Sequence, residues 1–223
     1  TATKQYTISG IAMDGADSGN YYLSANSFNG TDGQITPRTL TVTYTGVNKT
    51  YDASTAATVT TTDNRVAGDN FTIAKTATFA DKNVANTKNI SIASVSLSTG
   101  DADNYTVASS VNNATTANIT AAPLRVSGIV AADKVYNGSD VATLTLPTIN
   151  AGMGLLSNGG TADVVTFNTS SATFADANAG IGKTVTITAT FNGADAGNYN
   201  ITYQPTTLAS ISRRPVTVSA ASG

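Results

Sequence analysis

Asp17-Ser18-Gly19-Asn20-Tyr21, Asp101-Ala102-Asp103-Asn104-Tyr105 and Asp195-Ala196-Gly197-Asn198-Tyr199 are one short motif written three times. Asp, Gly and Asn tolerate tight turns and positive φ, and the Tyr opens an alternating run, so each copy predicts a turn leading into a strand. The runs (Tyr105-Thr106-Val107, Tyr199-Asn200-Ile201) are followed by segments closing in Ile-Thr or Ile-Ser. A turn and strand that recur mark an array of similar modules.

Other motifs align to this one. Lys49-Thr50-Tyr51-Asp52-Ala53 returns 85 positions later as Lys134-Val135-Tyr136-Asn137-Gly138. Ala77-Thr78-Phe79-Ala80-Asp81 returns 95 later as Ala172-Thr173-Phe174-Ala175-Asp176, which places a ten-residue insertion within Leu146 to Gly160. Asn86-Thr87-Lys88-Asn89-Ile90 matches Ile181-Gly182-Lys183-Thr184-Val185, and Lys4 to Thr36 match Lys88 to Thr120 at a constant offset of 84. The expected organisation is the C-terminal part of a preceding repeat (1–37) and a complete repeat one (38–122). Repeat two (123–213) carries the insertion near 146–160, and 214–223 read as the first strand of a following repeat. Repeats meet across a single Pro (Pro37, Pro123, Pro215), which fixes φ and leaves almost no linker.

Within repeat one, apolar residues alternate with Thr or Ser in Leu40-Val42-Tyr44, Ala57-Val59, Phe71-Ile73, Thr76 to Ala80, Ile90 to Leu97, Tyr105 to Ser109 and Ala117 to Thr120. This is the pattern of half-buried antiparallel strands. About seven short strands per ~85 residues outline an immunoglobulin-like sandwich, and the Asn-Tyr of the turn falls where such sandwiches place a tyrosine corner. The expected architecture is all-β: immunoglobulin-like β-sandwich modules arranged end to end as a rod.

Composition agrees. Charged residues make up 12%, all fourteen acidic residues are Asp with no Glu, and the chain is dense in Thr, Val, Ile, Asn and Gly, which favours strands and turns. A net charge of −2 supplies no basic face for nucleic acid. No apolar run approaches membrane-spanning length, no signal peptide begins the chain, and the start at Thr1 without Met reads as a fragment. Without Cys there are no disulfides.

The chain also lacks His, so the commonest general base and the best nucleophile are both missing, and no enzyme activity is expected. Asp101-x-Asp103-Asn104 places oxygen ligands at alternate positions, a candidate calcium site, although Asp17-Ser18-Gly19 and Asp195-Ala196-Gly197 lose the second carboxylate. The competing reading is a solvated turn held by Asx-type hydrogen bonds. Lys49 and Lys134, with Asn104 and Asn198, are candidates for an intramolecular Lys–Asn bond, which repeat ancestry explains equally. The pair Lys49/Tyr51 reads as a strand-edge Tyr packed under a Lys stem. Met153, Leu155, Leu156 and Asn158 in the insertion are the candidate ligand-binding residues, because loops on rigid scaffolds carry binding.

The ordered motifs Arg-Thr-Leu-Thr-Val, Lys-x-Tyr-Asp/Asn-Ala/Gly, Ala-Thr-Phe-Ala-Asp, Gly-Lys-Thr-Val and Asp-Ala-Gly-Asn-Tyr resemble the YDG/MBG-type tandem modules. These modules occur in large exported bacterial surface adhesins of filamentous-haemagglutinin-like and autotransporter type. The departure is that Tyr51-Asp52-Ala53 and Tyr136-Asn137-Gly138 do not keep the full Tyr-Asp-Gly. The resemblance implies secretion to a bacterial surface and supplies no catalytic residues. It implies a non-catalytic stalk or spacer that presents a distal functional domain. Its alternatives are an adhesive module that binds a host glycan or matrix protein through the insertion, or self-association in biofilm through strand addition near Val216 and Val218. The expected partners are neighbouring repeats, the expected state is monomeric, and no cofactor other than calcium is foreseen.

Overall fold

A computed structural model describes residues 3–108 and 114–219 of the chain. Ahead of repeat one lie β1 (Thr3–Ser9) and β2 (Ser27–Gln34). Repeat one contains β3 (Arg38–Leu40), β4 (Val42–Val47), β5 (Lys49–Thr50), β6 (Thr58–Asp63), β7 (Thr72–Phe79), β8 (Ala85–Ser98), β9 (Tyr105–Val107) and β10 (Ala114–Thr120). Repeat two contains β11 (Ala122–Val126), β12 (Val130–Ala131), β13 (Lys134–Val135), β14 (Leu144–Thr145), β15 (Ser157–Asn158), β16 (Thr161–Ala162), β17 (Thr166–Phe174), β18 (Gly180–Asn192), β19 (Tyr199–Tyr203) and β20 (Thr206–Ser212). The protein is all-β: among the described residues the only helical segments are four 3-10 turns of three residues, and none is long and apolar enough to cross a membrane.

Strand pairing repeats along the chain as the motifs do. Sheet β5-β10-β8-β7 has its counterpart in β13-β20-β18-β17, β3-β9 in β11-β19, and β4-β6 in β12-β14. Threonine alternation does its expected work in β18, where Val185, Ile187 and Ala189 are buried and Thr184, Thr186 and Thr188 face out.

Several expectations need correction. The strands are not all antiparallel: β3 runs parallel to β9, β5 to β10, β11 to β19 and β13 to β20. Alternation reports which face is buried and carries no information about the direction of the partner. Phe71-Ile73 and Thr76 to Ala80 are not two strands, because β7 runs unbroken from Thr72 to Phe79. The expected strand from Tyr105 ends at Val107, with Ser109 outside the described residues. Residues 213–219 form no strand, and Val216 and Val218 are exposed, since an isolated strand has no partner for its backbone groups.

By contact the chain divides into two compact units that do not coincide with the sequence repeats. The first comprises Thr1–Thr43, Thr61–Lys75 and Ser94–Asn112, and the second comprises Tyr44–Thr60, Thr76–Ala93 and Asn113–Gly223. In the first unit, β1 and β2 form an antiparallel ribbon with Tyr6, Ile8 and Phe28 exposed, while Leu40, Phe71 and Tyr105 are buried. The Phe71 and Tyr105 rings lie 4.9 Å apart, and the Arg65 guanidinium stacks 3.9 Å from the Phe71 centroid while gripping both oxygens of Asp63.

The second unit holds the larger core, with Ile129, Phe174, Val185, Ile187 and Ile211 at its centre. The insertion is not a bare loop. Asn150 caps a 3-10 turn over Ala151–Met153, accepting a hydrogen bond from the Gly152 amide. A two-strand ribbon of β15 and β16 follows, closed by Gly159 and Gly160 at φ 60° and 85°, the left-handed pair that a two-residue hairpin turn requires.

Candidate functional site: a polar junction between repeats

Each recurring sequence motif is one half of a hydrogen-bonded lock. The Lys49 ammonium plugs the turn that follows it, donating to Asp52 Oδ1 (2.7 Å) and to the carbonyls of Ser54 (2.8 Å) and Ala56 (2.9 Å). Lys134 repeats this with Asn137 Oδ1, Ser139 O and Val141 O. Both ammonium groups lie 5.4 Å from a phenylalanine centroid, Phe79 or Phe174. The expected Lys49–Tyr51 packing is thus replaced: the lysine lies over Phe79, and Tyr51 serves elsewhere. The Ala-Thr-Phe-Ala-Asp and Lys motifs also meet, as Asp81–Lys88 and Asp176–Lys183 ion pairs of 2.5 Å.

The Asp-x-x-Asn-Tyr turn is a 3-10 turn in all three copies, over Ser18–Asn20, Ala102–Asn104 and Ala196–Asn198. Its first Asp makes no capping hydrogen bond within the turn, contrary to the Asx-type reading. Asp101 Oδ2 instead accepts from the Asn70 amide (3.0 Å), and Asp195 Oδ2 from the Val164 amide (2.8 Å), so the aspartate clamps a distant loop. As a tyrosine corner would, the Tyr opens the penultimate strand of its repeat and its hydroxyl bonds to preceding backbone, 39 residues back in one copy and 43 in the other. Tyr105 donates to Asp69 Oδ2 (2.6 Å) and accepts from the Val66 amide, as Tyr199 donates to Asp163 Oδ2 (2.6 Å) and accepts from the Leu156 amide. Tyr21, in the first copy, is 71% exposed. The turn is therefore locally encoded, whereas the lock needs the partner loop.

In the second unit this lock is extended by residues of repeat one. Lys82 places its ammonium 2.6 Å from Asp163 Oδ1 and 2.8 Å from Asp195 Oδ1. Tyr51 donates to Asp163 Oδ2 (2.7 Å), and its ring meets Tyr199 edge-on at 5.5 Å and 77°. The Asn198 side chain accepts from the Val84 amide (2.9 Å) and donates to Asn83 Oδ1 (3.1 Å), while Asn158 donates to the Ala53 carbonyl (3.2 Å). Asp163, Asp195 and Asn198 are the only buried polar side chains among the described residues, and all three belong to this junction. No buried polar side-chain atom among the described residues lacks a partner.

The electrostatics follow from that geometry. Burial pushes the Asp163 carboxyl up, but hydrogen bonds from Lys82, Tyr199 and Tyr51 outweigh it and hold the group below its ordinary value. Hydrogen bonding to Asp163 and then Asp195 holds the Lys82 ammonium well above the usual lysine range. Burial, then the bond to Asp163, raises both the Tyr51 and Tyr199 phenols. One ammonium between two carboxylates, sealed by two phenols, is a charge-paired joint.

Asp101, Asp103 and Asn104 sit on the corresponding turn of the first unit. No group of three or more carboxylates able to hold a metal occurs among the described residues. Met153, Leu155 and Leu156 are half-buried, and Asn158, although exposed, is engaged with Ala53. Sequence reasoning missed Lys82 and Asp163. Lys82 has no counterpart, since Ala177 stands at its position, whereas Asp69 and Asp163 do recur ahead of β7 and β17. Their spacing from Phe79 and Phe174 differs by one residue, and β17 carries a bulge between Phe167 and Thr169.

No curated protein and no solved structure matches the chain. A family model described as the YDG domain matches twice in succession, over residues 36–116 and 120–207. With most of its length under these two matches, the chain belongs to the YDG domain family.

Proposed function

We propose that the chain is a stretch of non-catalytic spacer repeats from an exported bacterial surface adhesin, carrying a distal functional domain away from the cell. Its modules are immunoglobulin-like sandwiches joined end to end as a monomeric rod. The observation that carries this reading is the Lys82–Asp163–Asp195 junction, in which ion pairs and buried phenols tie residues of one repeat to residues of the next. Semi-rigid joints suit a spacer, where a Gly/Ser tether would let the array collapse. A chain without His or Cys, whose lysine motifs are spent on turn closure, fits a structural task. The insertion supports the same view, because Leu156 and Asn158 are engaged in the junction.

Small-angle scattering of the full chain tests this. The expected result is an elongated monomer whose dimensions do not change with concentration, and a compact particle would overturn it. A binding screen against glycans and matrix proteins should be silent with calcium or with chelator. Saturable binding lost on deleting Leu146 to Gly160 would replace the spacer with an adhesive module.

A further inference from the structure

The first unit contains the acceptor half of the junction a second time. Tyr105, Asp69, Asp101, Asn104, Val66 and Thr36 stand where Tyr199, Asp163, Asp195, Asn198, Leu156 and Thr120 stand in the second unit. Their internal bonds are the same: the phenol to the aspartate, the loop amide to the phenol, and the clamp aspartate to the loop. Of these residues, Tyr105, Asp69, Asn104, Val66 and Thr36 line an open cleft of about 320 Å³ together with Pro37, Arg38 and Asp103. In the second unit the Tyr51 amide donates to the Thr120 carbonyl, its hydroxyl reaches Asp163, and Lys82 spans the two aspartates.

We propose that this cleft is a docking socket for another YDG module, which enters it with a tyrosine and a lysine placed as Tyr51 and Lys82 are placed in repeat one. The inference rests on reading the chain as a tandem array, and it names the partner that this surface takes.

Burial separates the two copies. Asp163, Asp195 and Asn198 are 6%, 9% and 4% exposed, whereas Asp69 and Asp101 are half-buried and Asn104 is exposed. Among the described residues no cation pairs with Asp69 or Asp101, and Arg38, where repeat two has Ala122, bridges to neither. Asp69, which accepts from the Tyr105 phenol, and the clamp aspartate Asp101 correspond to the two carboxylates that Lys82 spans in the second unit. The matching partner therefore carries a single cation on a long, flexible stem together with an aromatic hydroxyl donor. The opposite end of repeat two is no match for this socket: Tyr136 is present and 41% exposed, but Ala177 supplies no charge. The partner is therefore a lysine-bearing module rather than a second copy of this chain.

The test extends the chain in cis. A chimaera replaces residues 1–36 with residues 38–120, so that an added module carrying its own tyrosine and lysine joins Pro37 in the register of the Thr120 junction. Hydrogen exchange of the Asn104 side-chain amide is compared with the parent chain, and it should slow at least ~tenfold as the group becomes buried. The slowing should vanish when the added module alone carries Lys82→Ala and Tyr51→Ala. Equal exchange in parent and chimaera would overturn the proposal. So would slowing that survives the double substitution, since covalent attachment alone would then explain it. Loss of the native amide pattern in repeat one also counts against it, because a docked module adds contacts without disturbing β3 and β9. Calcium producing the same slowing in the parent chain would reassign the cleft to a metal ion. Scattering from the same chimaera separates the two readings: a compact particle fails the tandem array, whereas an elongated one with unprotected Asn104 fails only the socket.

Discussion

Lys82 of repeat one and Asp163 of repeat two, 81 positions apart in sequence, meet at 2.6 Å with the aspartate buried. The ammonium also reaches Asp195, so one cation serves two carboxylates, of which Asp195 clamps the Val164 amide and Asp163 accepts from the Tyr51 and Tyr199 phenols. The backbone clamps of repeat two are thereby tied to a side chain of repeat one.

Lys82→Met should destabilise the chain more than loss of an ordinary surface lysine. Removing the cation leaves Asp163 buried and unpaired. Lys82 is itself about one-third exposed, so solvent screening moderates the loss, and ~2–3 kcal/mol is expected. Urea denaturation measures it, and adding Asp163→Asn to Lys82→Met should recover part of the loss because the stranded charge is gone.

Stability should hold a plateau between about pH 5 and 9 and fall on both sides. On the acid side, Asp163 titrates below its ordinary value in the folded chain, so its contribution is present above the unfolded carboxylate range near ~4 and is lost as pH falls through the folded value. On the alkaline side, Tyr51 and Tyr199 titrate above the ordinary phenol value, so their contribution is present below ~10 and lost as pH rises beyond it. No histidine or cysteine is present to titrate between. Thermal melts across pH check the shape, and a step near neutrality would contradict it.

Much of this was legible in the sequence, and the remainder was hidden for identifiable reasons. The Val185-x-Ile187-x-Ala189 alternation marked the buried face of β18, and the recurring lysines each close the turn that follows them, though not against Tyr51 or Tyr136 as expected. The eye for recurrence worked against Lys82, however, because a residue facing Ala177 in the other copy leaves no repeated signal. Asp163 was obscured by the insertion just before it. The parallel direction of β3 and β9 follows from where the chain returns after the turn, which alternation does not encode.

Gly100 and Gly193 should each resist substitution. Both have positive φ, +50° and +119°, and a Cβ would fall 2.0 Å from the Asn70 carbonyl oxygen or 2.3 Å from that of Val164. Those carbonyls receive the Asp101 and Asp195 amides, so the clamp and the glycine occupy the same close approach. Gly193→Ala combines backbone strain with a clash against main chain, and a loss of ~2 kcal/mol or more is expected in denaturant titration. Gly197→Ala, with nothing within 4 Å of the added carbon, is the control and should be far milder.

The intact mass of the folded chain should equal that of its sequence, with no ammonia lost to a Lys–Asn bond. Lys49 spends its ammonium on Asp52 and two carbonyls, and the Asn198 amide is held by Val84 and Asn83. Mass spectrometry under denaturing conditions decides this. Lys49→Met should then act as loss of a turn plug, costing ~1–2 kcal/mol through unsatisfied carbonyls.

Tyr51→Phe and Tyr136→Phe provide an internal control, since the two tyrosines occupy the same position of successive repeats. Tyr51 is 2% exposed and its hydroxyl donates to a buried carboxylate, so its removal leaves Asp163 one hydrogen bond short and should cost ~1–3 kcal/mol. Tyr136 is 41% exposed, and its substitution should fall within ~0.5 kcal/mol of the parent. The difference, measured by parallel urea titrations, isolates what the junction adds to a residue that the motif alone would treat as equivalent. Equal losses at both positions would mean that the hydroxyl serves the module itself rather than the contact with the next one.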